Sequence, residues 1–171
     1  MSTTSISEAL EKTGNAIATD PAKAHVKAAP ATARLLDGLR CEVTGPKGEI
    51  VITDMPPAVG GASSGAAPGW LLRGAIASCT ATVIAMRAAS LGVHLKTLEV
   101  TVESESDQRG MLGLDERVSA AFTAMRVRVK IGADNVPPDE LRTLAQWGDA
   151  HSPVACTVRN SPVTAVEVEI V

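Results

Sequence analysis

The chain has no tyrosine, one phenylalanine and two tryptophans in 171 residues. A core of this size therefore rests on Ala, Val, Leu and Ile, with little ring packing. Three histidines, His25, His94 and His151, are scattered, with no H-x-x-H pair, and the three cysteines form no C-x-x-C. That argues against a metal centre, and no cofactor is expected. Net charge is −3 and no basic stripe is present, which argues against a nucleic-acid partner. The run Gly60-Gly-Ala-Ser-Ser-Gly65 lacks the lysine and the strand-to-helix frame of a phosphate loop. Ser152 lacks the G-x-S-x-G context of a hydrolytic nucleophile. No apolar segment follows a basic start, so no secretory leader is expected. The longest apolar stretch, residues 70–91, carries Arg73, Arg87 and two serines. It reads as a core helix, with no membrane partner. The expected compartment is cytoplasmic, where a cysteine pair is catalytic or redox-sensing more often than structural.

What is present reads as α+β. Ser5 to Glu8 matches a capping box, and a short helix to about Ala18 follows, ended by Pro21. Residues 1–30 form an N-terminal helical arm and residues 31–171 the main domain. Leu39, Cys41 and Val43 alternate with Arg40 and Glu42, Gly45-Pro-Lys-Gly48 turns, and Glu49 to Asp54 returns, predicting a hairpin. Residues 55–68 read as a flexible loop. Pro68 opens a helix that runs to about Leu91 and stops at Gly92. Further alternation predicts strands over residues 98–103, 125–131 and 166–170. Helices start at Val136-Pro-Pro138 and at Ser152-Pro153, where Ser caps and Pro takes the first helical position.

Cys79 lies at the midpoint of the apolar helix, with Leu72, Ala75, Ile76, Thr82, Val83 and Met86 at turn spacing. A helix apolar on almost every face belongs in the middle of a fold. The thiol is then either an inert packing group or a redox centre in a dry pocket. Cys156 lies in the first turns of a short helix, where backbone N–H groups point at an anion. Cys41 reads as core.

The run Pro68-Gly-Trp-Leu-Leu-Arg-Gly-Ala-Ile-Ala-Ser-Cys79-Thr-Ala, the preceding Asp54-Met-Pro-Pro-Ala-Val-Gly-Gly and the later Ser152-Pro-Val resemble the OsmC/Ohr family. These are the osmotically inducible and organic hydroperoxide resistance proteins, and the resemblance spans roughly residues 35–171. It implies an OsmC-like fold, antiparallel sheets wrapped around a buried central helix in an intertwined homodimer, with the site at the interface. It further implies a thiol peroxidase of the stress response. Cys79 matches the peroxidatic position, a second cysteine resolves its sulfenic acid, and a dithiol reductant resets the pair. The substrate would be a small apolar hydroperoxide. The family's resolving position is Ser152 here, and Cys156 lies one helical turn on. The family's activating Glu falls on Gly69. Its Arg, on an N-terminal strand, is matched nearest by Arg40, with Arg73 as an alternative cation. These departures motivate a second expectation, a catalytically inactive dimer that binds a small apolar ligand.

Overall fold

The computed structural model describes residues 3–171, in two compact units, Ser7–Ala75 and residues 76–171 together with 3–6. Helix α1 spans Thr3–Thr19. Ser5 stands inside its first turn, so the capping box read at Ser5 is not its start. Asp20 caps the short turn Pro21–Ala24, accepting from the Ala22 amide at 3.2 Å.

The first unit holds a three-stranded antiparallel sheet in the order β1 (Thr32–Asp37), β2 (Arg40–Thr44), β3 (Ile50–Thr53). Gly38 and Gly48 adopt φ of +55° and +83° in its two turns, a region closed to most side chains. The predicted hairpin is therefore present, pairing Val43 with Val51 and Glu42 with Ile52.

The loop from Met55 to Ala67 is tied down and does not float. Thr53 and Ala66 are joined by a parallel bridge, through Asp54 N–H to the Ala66 carbonyl at 3.3 Å and Ala66 N–H to the Ile52 carbonyl at 3.2 Å. Gly61 has no room for a side chain, because a Cβ there would sit 1.9 Å from the Met55 carbonyl oxygen. The flexible reading of this loop is corrected: it folds around one carboxylate.

Helix α2 spans Pro68–Ser90. Gly92, at φ +69°, ends it as the sequence predicts. Only Ile76, Thr80, Ile84, Ala88 and Ala89 are buried along it. Four of them follow one i, i+4 stripe. Within the single chain one stripe of the helix is packed, and Leu72 and Met86 are exposed. Among the described residues, α2 is the one helix long and apolar enough to cross a membrane by length and composition.

The second unit centres on a long two-stranded ribbon, β4 (Leu95–Ser106) against β5 (Phe122–Ala133). The connection holds a short helix, α3 (Gln108–Met111). Leu98 pairs with Ile131, Val100 with Val129 and Val102 with Val127 on one face. That face covers the cluster of Ile84, Ala88 and Leu144. Leu144 belongs to α4 (Pro138–Ala150), which packs on β5. Gly148 is what lets α4 approach α2, since a Cβ there would meet Ile84 Cγ1 at 2.3 Å. Helix α5 (Pro153–Arg159) follows, and the Ser152 hydroxyl caps it by accepting from the Ala155 amide at 3.4 Å. The strand expected over residues 166–170 is not formed: residues 161–171 join no sheet among the described residues and are exposed.

Candidate functional site

Cys79 and Cys156 both belong to the second unit, whereas Arg40 and Arg73 belong to the first. Cys79 is half-buried and its thiol is free of disulfide. Its neighbour Thr80 is 0% exposed, on the stripe that faces the core, and its hydroxyl has no partner among the described residues. Arg40 opens β2 and is exposed, and it lines a cavity of about 240 Å³ with Asp37, Asp54 and Ser64. Arg73 is half-buried in the first turns of α2.

Cys156 is set in a built polar cluster. Its thiol donates to the Ala150 carbonyl at 3.1 Å, and Arg159 Nη1 lies 3.9 Å from the sulfur. Arg159 is oriented in turn by Asp149, with Nη2 donating to Oδ2 at 2.6 Å. The second Asp149 oxygen is buried and without a partner among the described residues. The carboxylate thus holds the guanidinium beside the sulfur. Sequence reading missed Arg159 and Asp149. The i, i+3 spacing of Cys156 and Arg159 on one helix was a usable signal. Asp149, on another helix, left none.

A buried carboxylate was also missed. Asp54 is 3% exposed. Its Oδ2 accepts from the Ser64 amide at 2.9 Å, the Ser64 hydroxyl at 2.8 Å and the Ala62 amide at 3.1 Å, and its Oδ1 from the Met55 amide at 2.7 Å. Those donors, Ser64 foremost, bring its pKa from 3.8 down to about 2. The carboxylate is thus ionised at neutral pH, and its bonds are spent on organising the loop.

A third feature is a groove of about 330 Å³ with Leu91, Leu144 and Trp147 in its wall and Asp139 and Glu140 at its edge. Arg87 lies 4.8 Å from the Trp147 ring centre, and His151 stacks on the same indole at 3.9 Å. The surface reading of His151 holds, since it is exposed. Among the described residues no group of three or more His, Cys, Asp or Glu is arranged to hold a metal.

The family model for OsmC-like protein matches residues 60–167. The chain belongs to the OsmC-like family. Solved structures share its fold at low identity. An OsmC-like protein from Mycoplasma pneumoniae is similar at a TM-score of 0.67 and 14% identity, over 80% of this chain and 91% of that one. An organic hydroperoxide resistance protein OsmC from Legionella pneumophila is similar at 0.58 and 16%, over 79% and 93%. An organic hydroperoxide resistance protein from Elizabethkingia anophelis is similar at 0.58 and 16%, over 80% and 93%. No curated protein matches the chain. At these identities the likeness carries the fold, and α+β with antiparallel sheets is that fold.

Proposed function

We propose that this OsmC-like protein is a homodimeric thiol peroxidase that reduces organic hydroperoxides. Cys79 is the attacking sulfur and Cys156 the resolving one. The observation that carries the reading is the Cys156–Arg159–Asp149 cluster, which an inert packing cysteine has no use for. In the first step the Cys79 thiolate attacks the distal peroxide oxygen, the O–O bond breaks, and the alkoxide takes a proton and leaves as alcohol. Cys79 becomes a sulfenic acid. In the second, the Cys156 sulfur attacks that sulfenic sulfur, water leaves, and a disulfide forms. A dithiol reductant then exchanges with the disulfide, returning both thiols and leaving as its own cyclic disulfide. The exposed apolar side chains of α2 support the dimer. Leu72 and Met86 on that helix, and Leu91 just past its end, are exposed in one chain, and a second copy is the covering that this reading assigns to them.

The second reading is an inactive dimer that binds a small apolar ligand. Two facts favour it. Ser152 is fully buried and its hydroxyl is committed to capping α5. Gly69 places no acid at the start of α2. The test is turnover of cumene hydroperoxide with dithiothreitol, followed by mass spectrometry of the thiols. The peroxidase consumes one peroxide per dithiol oxidised, loses this with Cys79→Ser, and with Cys156→Ser stops at a sulfenic acid that dimedone traps. Thiols that stay reduced under excess peroxide at neutral pH exclude the peroxidase and leave the binding reading.

A further inference from the structure

The Cys156 sulfur has two hydrogen-bonding neighbours among the described residues, and they suit different forms of it. The Ala150 carbonyl, at 3.1 Å, accepts from the thiol. Arg159 Nη1, at 3.9 Å, can only donate. The first bond exists only while the sulfur holds its proton. Once the proton leaves, sulfur and carbonyl oxygen are both acceptors and cannot bond. The guanidinium is then the partner in reach, and a bond to a charged acceptor is the stronger kind.

The local fold aims that guanidinium. Arg159 stands three residues after Cys156 on α5, so both lie on one face of the helix. Asp149, in the last turn of α4, holds it by two acceptors: the carboxylate Oδ2 takes Nη2 at 2.6 Å, and the backbone carbonyl takes Nη1 at 3.4 Å. A planar fork fixed on one side leaves its other nitrogen pointed. The other cationic side chains of α4 and of the turn after it are committed elsewhere. His151 stacks on Trp147 and its Nδ1 lies 2.8 Å from the Trp147 carbonyl, and Arg142 pairs with Asp139 at the far end of α4. An arginine that only tied α5 to α4 would use Asp149 alone, whereas this one also reaches the sulfur.

We propose that Arg159, held by Asp149, is a positioning residue that takes the Cys156 sulfur over from the Ala150 carbonyl whenever that sulfur gives up its proton. Its place in the reaction rests on the peroxidase reading above. In disulfide formation the Cys156 sulfur loses its proton and attacks the Cys79 sulfenic sulfur; the S–S bond forms, the S–O bond breaks, and hydroxide leaves with the proton as water. In the return step the dithiol attacks the Cys79 sulfur, and the Cys156 sulfur leaves with the bonding electron pair. Arg159 meets the charged sulfur in both. The second dithiol sulfur then closes its own disulfide and releases Cys79, and the two dithiol protons end on the two cysteines.

The first test needs no peroxide. In Cys41→Ser/Cys79→Ser the one thiol left is Cys156, and its reaction with uncharged methyl methanethiosulfonate at neutral pH is timed by mass spectrometry. Arg159→Gln keeps an amide donor for Asp149 and removes the charge. Arg159 and Asp149 are 44% and 34% exposed, so solvent screens the contact, and Arg159→Gln should react about three- to tenfold more slowly. Arg159→Lys should recover part of that loss, and Asp149→Asn, which frees the guanidinium, should fall between. Circular dichroism melts check that each variant is folded. A further measurement needs no change at Arg159: added salt should slow the parent toward the Arg159→Gln rate. A parent rate that salt does not move, or an Arg159→Gln rate equal to or above the parent's, overturns the proposal. In the intact chain, Arg159→Gln should lengthen the life of a dimedone-trapped Cys79 sulfenic acid by a similar factor. A sulfenic acid of unchanged lifetime overturns the proposal and leaves the peroxidase standing. No sulfenic acid in any variant, with the slower Cys156 reaction still seen, overturns the peroxidase and leaves the role of Arg159 standing.

Discussion

Replacing Gly148 by alanine tests the packing that sets α2 against α4. In most helices this change stabilises, since glycine costs about 1 kcal/mol relative to alanine. Here the new Cβ would lie 2.3 Å from Ile84 Cγ1 and 3.0 Å from Ile84 Cα and N. The side chain can rotate away, but the backbone atoms cannot move without shifting the buried stripe of α2. Overpacking of this kind costs about 1–3 kcal/mol. The steric term therefore offsets or exceeds the propensity gain, and Gly148→Ala should lose up to about 2 kcal/mol net, a fall of up to roughly 8 °C in melting temperature for a chain of this length. Ile84 is fully buried, so Ile84→Ala alone should cost about 2–5 kcal/mol. In the double variant the worst contact is gone, and the two costs should fall short of their sum by about 1 kcal/mol or more. Gly14→Ala is the control, because a Cβ at that position on α1 would meet nothing within 4 Å, and it should be neutral or stabilising. Urea unfolding followed by circular dichroism at constant protomer concentration reads all four. If Gly148→Ala stabilises as Gly14→Ala does, or if the cycle is additive, the close approach of α4 to α2 is not what glycine is there to allow.

Three further outcomes are expected. Asp54 has its pKa lowered to about 2, so the stability it contributes is fully present above its unfolded value near 3.8 and is lost as pH falls from there through 2. Asp54→Asn should flatten that acid limb in melts between pH 5 and 2, and an unchanged limb would show that the cage is not what titrates. Gly61→Ala should break the same loop at neutral pH, read as faster amide exchange at Ala62 and Ser64, since its Cβ has no space beside Met55. Thr80→Val should be neutral or stabilising by about 1 kcal/mol, because it removes a buried hydroxyl with no partner among the described residues. A clear fall in melting temperature for Thr80→Val would mean that the hydroxyl is bonded.

Local chemistry made much of the architecture legible in the sequence. Pro68 and Gly92 bracket α2 because one lacks an N–H at a position that needs none and the other takes a left-handed φ at little cost. Alternation along residues 125–131 marks β5 because successive side chains of a strand point to opposite faces. Ser152 before Pro153 marks the start of α5 for similarly local reasons. Of the Cys156 cluster, the thiol was visible as a residue type, but its neighbours Arg159 and Asp149 were not.

The rest depended on atoms far apart in the chain. Apolarity all around α2 did not say that the stripe of Ile76, Thr80, Ile84 and Ala88, with Ala89, would be its buried part within the chain, because burial depends on what packs opposite. The loop rich in Gly, Ser and Pro reads as slack, and only its closed path brings the amides of Ala62 and Ser64 back to Asp54. Asp149 reaches Arg159, and through it the sulfur of Cys156, because the turn between α4 and α5 folds one helix end onto the other. Propensity and periodicity are properties of a few consecutive residues and survive in the sequence. Hydrogen bonds between distant residues are properties of a path through space, and only the folded chain sets them.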